Sequence, residues 1–489
     1  MKPEEKDRQD IRNDAATNVE SKNFMHGRYR RTEAMGRDSI WKLLFRFSGP
    51  AVVAHIVNAS YNLVDGIFAG RLGTAALAAL AVSNPLMAIY RSIGMGVGVG
   101  AASLIARQLG AGNKDGADRA ASGAITTYLM VAITVTVICL LTLQYLLRAF
   151  GASGEVLSLS MSYMVVETWC IVVDFLLIVL AELVRVEGNP LLASSASIVS
   201  GVMNCVFDPL FAFGWGPFPR IGIAGLAVAT TVGRAMGITI LVYYLISKKS
   251  IYRFKLSYFR PDFGIVREIY RVGISMTLRM VGGSISQMIA SITAAGFGVM
   301  ALATVGVHFR ATGFAITVCF GLGQGMLPIA GYNYGAGKKE RAGEAVIKAG
   351  LAAIIWGIIC WLVFTLLSGQ IMNLFNTDPE FLAIAVPSLS IFAYGFFFSG
   401  PQTTLSYFFQ GIGKGWESII IASSRQVIFL IPFLLILPRV IGLTGLWVAY
   451  PVADFLAFAL TLGWLIVEFR RQRIPFRLTN PKPTTQATA

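Results

Sequence analysis

Long apolar runs dominate the sequence from residue 44 to residue 468. A membrane-spanning helix needs roughly 20 mostly apolar residues, and twelve runs of that kind are separated by short polar segments. They lie at 44–70, 74–106, 121–147, 158–184, 190–213, 222–247, 269–296, 300–332, 346–368, 381–409, 417–437 and 441–468. The pattern predicts an all-α integral membrane protein with twelve transmembrane helices. The second, eighth and tenth runs are long enough to tilt or bend.

The second half of the chain repeats the first. The stretch 76–120 aligns with 301–345 without a gap, at an offset of 225 residues. Three glycines keep their phase, because Gly96, Gly98 and Gly100 fall on Gly321, Gly323 and Gly325. Six spans per half is an even number, so the halves share an orientation and form a parallel repeat, as in many secondary transporters. Since small residues let helices approach closely, we expect these glycines at the interface between the halves.

The repeat also sets the expected organisation of the chain. It consists of a polar tail (1–40), an N-terminal six-helix lobe (41–247), an inter-lobe loop (248–262), a C-terminal six-helix lobe (263–469) and a second tail (470–489). We expect two pseudo-symmetric lobes around a cavity at the middle of the membrane. The first forty residues have no uninterrupted apolar segment like that of a signal peptide. We therefore expect a cytoplasmic tail whose first part is disordered.

Composition and charge support a membrane protein. Hydrophobic residues make up 55% of the chain and charged residues 14%, with a mean hydropathy of +0.65, whereas soluble domains are about one quarter charged. The net charge is +15. With both termini inside, the inner loops carry Arg107, Lys114, Arg119, Arg185, Lys248, Lys249, Arg253, Lys255, Arg260, Lys338, Lys339, Arg341 and Lys414, and the outer loops only Arg71, Arg148, Arg220 and Arg439. The positive-inside rule therefore places both termini in the cytoplasm, and nucleic-acid binding is not needed to explain the charge.

The sequence carries no signature of an enzyme or of a bound cofactor. It lacks a nucleotide-binding loop, a histidine cluster with metal-ligand spacing and a nucleophile motif. The cysteines, at positions 139, 170, 205, 319 and 360, lie inside apolar runs without paired spacing. Such spacing indicates neither a disulfide framework nor a zinc site.

Two acids inside the apolar runs are the main functional candidates. An ionisable side chain in a spanning helix costs several kcal/mol unless it is paired or faces water, so it is a functional candidate by default. Asp65 and Asp208 each lie about five residues from the outer end of their spans. Tyr61 and Asn204 precede them by four residues, which places each pair on one helix face. These oxygen atoms suit a hard cation such as Na⁺, or two carboxyl groups that share a proton and titrate as a unit.

The repeat provides an internal comparison for these acids. Pro209 removes an amide hydrogen from the fifth span, so we expect a helix bend there. At the corresponding positions the C-terminal lobe has Pro432 but lacks the acids, because Asp65 maps to Ala290. The bend would then be a structural feature of both lobes, whereas the acids occur in the N-terminal lobe alone. The alternative is structural: Asp208 caps backbone groups at the bend, and Asp65 pairs with a basic residue.

Other polar residues in the spans have open roles. Glu167 and Asp174 are seven residues apart on the fourth span, and either a packed, hydrogen-bonded role or a cation relay fits them. Asp454 is the only central acid of the second lobe and is a further relay candidate. Basic groups in that lobe could line a cavity, bind an acidic group of a substrate or satisfy backbone carbonyls, and the last interpretation is favoured; they are Arg279, His308, Arg310 and Arg425.

Four segments, in order, resemble the multidrug and toxic compound extrusion (MATE) family. They are YNLVDGIFAGRLG, LGAGNKDGADRAAS, VEGNPLLASSASIVSGVMNCVFDPLF and GIAGLAVATTVG, and the likeness runs from about residue 38 to 469. The resemblance implies multidrug efflux by an antiporter that expels organic, often cationic, compounds in exchange for H⁺ or Na⁺, without a cofactor. It also implies that the N-terminal lobe holds the coupling cation and that Thr230 joins Tyr61, Asp65, Asn204 and Asp208 in that site.

Two other functions stay open from the sequence alone. A flippase for lipid-linked oligosaccharides has a related fold, although fourteen spans and a strongly basic cavity would be more usual for it. An exporter of one specific metabolite is the other. We expect small-molecule substrates and the lipid bilayer as partners, and a monomer in the cytoplasmic (inner) membrane.

Overall fold

The computed structural model describes residues 29–247 and 249–475, and no strand occurs within those ranges. Most of the predicted N-terminal tail, Lys248 of the inter-lobe loop and residues 476–489 of the C-terminal tail lie outside the described residues. The described chain is an all-α protein, as the sequence predicted.

Twelve long helical units follow one another between residues 40 and 472 of the described chain. The first six are α1 (Ile40–Leu72), α2 (Thr74–Gly110), α3 (Lys114–Ala149), α4 (Gly154–Trp169 and Ile171–Val186), α5 (Pro190–Phe213) and α6 (Ile223–Ile246). The second six are α7 (Phe263–Ala295), α8 (Val299–Gly335), α9 (Lys339–Leu366), α10 (Pro379–Ala393 and Phe396–Gly411), α11 (Gly415–Ile441) and α12 (Leu443–Gln472). A 3₁₀ turn, Leu256–Phe259, lies between the sets, and a short helix, Ser368–Asn373, precedes α10.

The described helices are compatible with the predicted twelve transmembrane spans. Among the described residues, nine single helices are long and apolar enough to cross a membrane, and the two-part helices α4 and α10 bring the number to eleven. The remaining predicted span, 269–296, falls in α7, which is less apolar but has 33 residues. At 1.5 Å per residue, a helix of that length exceeds the roughly 30 Å of the hydrocarbon layer.

Sharp bends occur in α4 and α10. The two parts of α4 meet at Cys170 at 45°, and the two parts of α10 meet near Gly395 at 48°. These two positions are 225 residues apart, so the bend itself is repeated in both halves. The sequence allowed for a bend in the tenth span but not in the fourth. By contrast, α5 continues as a helix through Pro209 to its end at Phe213, so the bend at Pro209 stays a prediction.

Four of the six repeated glycines lie where the two halves contact each other, as predicted. A methyl group on Gly96 would lie 2.8 Å from the carbonyl oxygen of Gly273 on α7, and one on Gly321 would lie 2.8 Å from the backbone nitrogen of Val52 on α1. Gly98 instead faces Tyr128 within its own half. Every second glycine therefore faces the other half. The glycines in contact with it are four residues apart on their helix, and that spacing suits close helix packing.

Residues 29–38 join the two halves at the end of the bundle where α1 begins. This segment is helical at 29–34, although it belongs to the tail that was expected to be disordered at first. Thr32 donates to the carbonyl oxygen of Glu187 (2.6 Å), while Asn333 donates to that of Met35 (2.9 Å) and Arg341 to that of Asp38 (2.6 Å). The expectation was wrong for these residues because both halves bind their backbone. We call this end of the bundle the terminus side and the opposite end the far side.

All described hydrogen bonds between the halves lie on the terminus side or near the middle of the helices. On four of the helices, one residue makes the inter-half hydrogen bond that lies nearest to the far side. These residues are His55 on α1, Ser92 on α2, Thr277 on α7 and Leu322 on α8. These residues lie at or on the terminus side of the helix midpoints. The halves are therefore in contact on the terminus side and are not joined by a described hydrogen bond on the far side.

Candidate functional site

Four of the five predicted cation ligands converge in the first half of the chain. Asp65 is on α1, Asn204 and Asp208 are on α5, and Thr230 is on α6; all four are buried. Asp65 and Asp208 are seven and five residues from the far-side ends of their helices, and Thr230 is seven residues from that of α6. At 1.5 Å per residue, all lie roughly 7 to 11 Å from the helix ends and share one layer.

Hydrogen bonds connect these side chains directly. Asn204 Nδ2 donates to Asp208 Oδ1 at 3.2 Å and to Thr230 Oγ1 at 3.0 Å. The Thr230 hydroxyl donates to the carbonyl oxygen of Leu226 at 2.9 Å. The carboxyl groups of Asp65 and Asp208 are close enough to interact electrostatically. A proton or a cation between them would relieve the repulsion of two bare carboxylates, which have no donor to share.

Three oxygen atoms of this cluster are buried without a hydrogen-bond partner among the described residues. They are Asp65 Oδ1, Asp208 Oδ2 and Asn204 Oδ1. Buried polar atoms are nearly always satisfied in native proteins, so a group of unsatisfied acceptors indicates a missing donor or cation. Carboxylate and amide oxygens are suitable ligands for a hard monovalent cation, and a carboxyl proton would also satisfy part of the set.

Two arginines that were not predicted lie beside this cluster. Arg234 contacts Glu167 Oε2 at 3.5 Å and Asp174 Oδ1 at 3.2 Å, and Arg91 contacts Asp174 Oδ2 at 3.5 Å. The bend at Cys170 lies between the two acids, and both parts of α4 reach Arg234. These contacts place Glu167 and Asp174 in an ion-pair network and leave their proposed relay role untested.

The ion pairs also identify which acids lack a positive partner. Arg91 and Arg234 compensate Glu167 and Asp174, while neither Asp65 nor Asp208 has a basic side chain within 4.0 Å among the described residues. Pairing of Asp65 with a basic residue, the structural alternative, is therefore not observed. An uncompensated charge in a membrane interior is costly, so this pair requires an added proton or cation.

A cavity of 260 Å³ lies next to the cluster, and we call it the central cavity. Its wall includes Tyr61, Asn62, Asp174 and Arg234 from the first half of the chain and Tyr407 from the second. Tyr61 was predicted as a cation ligand. It lies on this wall against Gly201, one helical turn from Asp65, and no hydrogen bond joins it to the four clustered residues within the described part of the chain. Tyr61 and Arg234 thus line the cavity from α1 and α6, the helices that also carry Asp65 and Thr230.

A hydrogen-bonded chain on the terminus side of the central cavity links the halves. His55 Nε2 and Gln324 Oε1 are 3.1 Å apart, Gln324 Nε2 donates to Glu182 Oε1 at 2.7 Å, and Glu182 pairs with Arg185. All four residues line the cavity. None was predicted to act, although an acid and a histidine inside apolar runs satisfy the same rule that selected Asp65.

The described polar residues of the second half form no equivalent cation cluster. Asp454, a predicted relay residue, is buried and paired with Arg425. Arg279 donates to Ser406, and His308 lies 3.1 Å from the Ser388 hydroxyl, while Arg310 is exposed. Arg279 and Arg425 therefore bond to side chains in the described structure, and the favoured interpretation, that they satisfy backbone carbonyls, was wrong for both.

Changes at Asn204 and Asp208 are expected to be non-additive. Because the two side chains share a hydrogen bond and one unsatisfied ligand set, Asn204→Ala and Asp208→Asn should each weaken cation coupling, with an interaction energy of about 0.5 to 3 kcal/mol. Asn84→Ala, an exposed asparagine on α2, is the matched control and should be additive with Asp208→Asn. Cation-dependent drug binding of the single and double variants measures this, and simple additivity of the first pair would argue against a shared site.

Comparison with known protein families gives a match in both halves of the chain. The MatE family model matches residues 50–210 and again residues 276–436. The two matched segments begin 226 residues apart, which agrees with the internal repeat. Together they cover well over half of the chain.

Curated relatives and solved structures extend the likeness to nearly the whole chain. Multidrug export protein MepA of Staphylococcus haemolyticus (strain JCSC1435) is 26% identical over 86% of this chain and 92% of that protein. A crystal structure of MATE in the bent conformation has a TM-score of 0.84 and 26% identity over 91% of this chain and 98% of that chain. An outward-facing structure of a multidrug resistance MATE family transporter also has a TM-score of 0.84 and 26% identity, over 90% of this chain and 98% of that chain.

Proposed function

The chain belongs to the MatE family, and we propose that it is a membrane antiporter that exports organic compounds in exchange for a cation bound in its N-terminal lobe. Relatives named as multidrug export proteins and the likeness to MATE transporter structures support efflux of several compounds. The internal repeat and the cavity between the halves fit a secondary transporter.

The observation that carries the proposal is the cluster of unsatisfied acceptors around Asp65 and Asp208. Neither acid has a basic partner within 4.0 Å among the described residues, and Asn204 donates to both Asp208 and Thr230, so these side chains form a preorganised oxygen site that lacks one positive charge. A proton on the carboxyl pair or a Na⁺ ion on these oxygens would supply that charge. We propose that the coupling ion is H⁺ or Na⁺. Asp65 and Asp208, together with Asn204 and Thr230, would hold it.

Coupling is proposed to pass from the cation cluster to the cavity through Tyr61 and Arg234. Both residues line the central cavity, and Arg234 is held by the acids Glu167 and Asp174 next to the cluster. Neutralising Asp65 and Asp208 would change the balance of charge around Arg234 and shift its contacts. A ligand can shift a two-state protein only by its differential affinity for the two states, so drug and cation must favour different arrangements of this wall.

We propose that the terminus side faces the cytoplasm and that the structure is outward-facing. The excess of basic residues in loops on that side supports the orientation. The described hydrogen bonds between the halves are confined to that side and the helix midpoints, which supports opening on the proposed outer side. In this orientation the cation cluster lies in the outer half of the membrane, where a cation from outside would arrive.

Labelling of single cysteines is expected to report this topology. In a cysteine-free background, a cysteine at Lys249, between α6 and α7, should react with an impermeant reagent only from the cytoplasm. A cysteine at Thr377, on the exposed loop before α10, should react only from outside, and it serves as the matched control. Reaction of both positions from the same side would contradict the proposed arrangement of spans.

Binding measurements test the proposed antiport directly. Because coupling between two sites is reciprocal, drug and cation should weaken each other's binding by the same factor, about 5- to 150-fold for a coupling free energy of about 1 to 3 kcal/mol. Drug affinity would be measured at low and high concentrations of H⁺ and of Na⁺, and cation affinity with and without drug. Independent binding of drug and both cations would overturn the proposal.

A further inference from the structure

A pocket of 350 Å³ lies on the terminus side, where the inter-lobe loop meets α3 and α7, and we call it the loop pocket. Three elements contribute to its wall. The lining residues include Arg119 of α3, Ser257, Tyr258 and Arg260 of the loop, and Phe263 and Ile265 of α7. None of the residues that line this pocket lines the central cavity. The proposed export therefore makes no use of it.

Arg260 gives the loop pocket a positive charge that has no partner. Its exposed side chain forms no hydrogen bond or ion pair with any residue that the structure describes. Asp262 is the carboxylate on the described wall, and it accepts hydrogen bonds from two backbone amides at the start of α7, at 2.8 and 3.3 Å. Arg119 pairs through Nε with Asp115 at 2.8 Å, and its two Nη atoms donate to no described residue. Donors on two arginines are therefore available to an anion.

Contacts with α3 hold the loop side of this pocket in place. The Tyr258 hydroxyl donates to Asp115 Oδ1 at 2.5 Å and accepts from Lys255 Nζ at 3.1 Å. The guanidinium of Arg119 lies 5.4 Å from the centre of the Tyr258 ring. Farther along α3, Thr126 Oγ1 donates to the carbonyl oxygen of Phe259 at 3.0 Å. The 3₁₀ turn is thus fixed to α3 on both sides of Tyr258.

The face of α3 that carries Arg119 continues toward the far side as an apolar surface. Met130, Ile133 and Val137 follow Arg119 by 11, 14 and 18 residues, which are close to whole numbers of helical turns, so all four share one face. The three apolar side chains are 42%, 53% and 50% exposed. Exposed apolar side chains on a membrane-spanning helix contact lipid. Arg119 therefore lies at the end of a lipid-facing surface, at the level of the headgroups.

Two large apolar side chains flank the basic residues of the loop. Leu256 is 90% exposed and Phe263, which begins α7, is 78% exposed. Lys255 and Arg260 lie next to them in the chain. Alternation of this kind is typical of segments at a membrane surface, where apolar side chains reach the acyl chains and basic groups stay among the headgroups.

We propose that the loop pocket binds the headgroup of an anionic phospholipid such as phosphatidylglycerol. Arg260 and Arg119 contact the phosphate, and Leu256 and Phe263 contact the acyl chains. A guanidinium matches the geometry of a phosphate group, and basic pockets beside membrane-spanning helices bind anionic headgroups. The exposed apolar side chains favour a lipid over a soluble phosphate compound, because they would otherwise stay in water.

Lipid binding to the purified full-length protein tests the proposal. Native mass spectrometry measures the fraction of protein that carries a lipid at increasing concentrations of phosphatidylglycerol, and separately of phosphatidylcholine with the same acyl chains. One basic residue contributes roughly fivefold to the affinity for an anionic lipid surface. Arg260→Gln should therefore weaken binding of phosphatidylglycerol about fivefold and change binding of phosphatidylcholine by less than about twofold.

Arg267→Gln is the matched control, because it removes an exposed arginine near the start of α7 that does not line the loop pocket. Both variants lose the same net charge, so a general attraction to anionic lipid would fall equally in both. Arg267→Gln should bind phosphatidylglycerol within about twofold of the parent protein. An equal loss of affinity in the two variants, or an unchanged affinity in Arg260→Gln, would overturn the assignment of the site.

Two measurements on the parent protein need no variant to fold. Phosphatidylglycerol should bind at least about fivefold more tightly than phosphatidylcholine, and equal affinities would overturn recognition of an anionic headgroup. Glycerol 3-phosphate carries the phosphate without acyl chains and should not displace phosphatidylglycerol at equal concentration. Displacement by glycerol 3-phosphate would mean that a soluble phosphate compound occupies the pocket and would contradict the lipid assignment. Because each measurement reports lipid binding alone, failure of the proposed export leaves the test unchanged.

Discussion

Asp208→Asn is expected to stop export against a gradient while leaving part of the drug binding intact. Asparagine keeps the size of the side chain and an oxygen that can accept the 3.2 Å bond from Asn204. It removes the negative charge, so it resembles the protonated state of the Asp65 and Asp208 pair. The cation-bound and cation-free states differ in the charge of this pair. Because the variant lacks that charge, it would stay in a state that resembles the cation-bound protein.

The effect should be visible in binding before transport is measured. In the parent protein, drug affinity should change about 5- to 150-fold between the cation-bound and cation-free conditions, and in Asp208→Asn this dependence on pH and sodium should disappear. Asp262→Asn, an acid that caps the start of α7, is the control and should keep the dependence of the parent. A flat affinity in the parent, or net export by Asp208→Asn, would exclude this site as the coupling site.

Gly325→Ala is expected to reduce export strongly although it adds only one methyl group. A methyl group on Gly325 would lie 2.6 Å from the backbone nitrogen of Ser48 and 2.7 Å from its Cα. These are backbone atoms of α1, so the clash cannot be relieved by a side-chain rotation. Overpacking of this kind costs about 1 to 3 kcal/mol, which would disfavour the arrangement in which the halves are in contact on the terminus side.

Gly306→Ala is the matched control, because it makes the same change on the same helix where a methyl group has no neighbour within 4 Å. Spin labels at Thr74 and Val299, which begin α2 and α8 on the far side, report the separation of the halves. Gly325→Ala should shift the population toward shorter distances and reduce export at least about fivefold, as a cost of about 1 kcal/mol implies. An unchanged distance distribution with normal export would show that this close contact is not needed.

The layer of cation ligands could be predicted because its signals are local. Asp65 and Asp208 are acids in apolar runs, Asn204 lies one turn from Asp208, and each run is long enough to fix its depth in the membrane. Helix periodicity then determines which side chains share a face. The hydrogen bonds from Asn204 to Asp208 and Thr230 agree with that reasoning, although binding of a cation by these residues stays a prediction.

The partners of the other acids could not be predicted, because they depend on the bend in α4. Nothing at Cys170 resembles a helix breaker, since neither proline nor glycine occurs there. Without that bend, the contact of both Glu167 and Asp174 with Arg234 does not follow from their spacing. Arg91 and Arg234 themselves could have been identified, because basic residues in a span meet the same criterion as acids.

The role of the glycines was predicted, but the arrangement that produces it was not. In the sequence the repeated glycines are two residues apart, which does not match the usual spacing of four. Gly96 and Gly321 face the other half while Gly98 faces its own, and that alternation depends on how α2 and α8 are rotated in the bundle. A sequence shows the spacing of residues on a helix but not which neighbour each face meets.

Efflux from proteoliposomes with separately imposed gradients shows whether Asp65 and Asp208 couple cation entry to export. The parent protein and the double variant Asp65→Asn/Asp208→Asn would be reconstituted with a fluorescent cationic dye, and a proton gradient or a sodium gradient would be applied alone. If the two acids hold the coupling cation, one of the two gradients drives the dye against its concentration gradient in the parent protein, and neither does so in the double variant. Dye movement that is independent of both gradients in the parent protein, or gradient-driven movement that persists in the double variant, would exclude this pair as the coupling site.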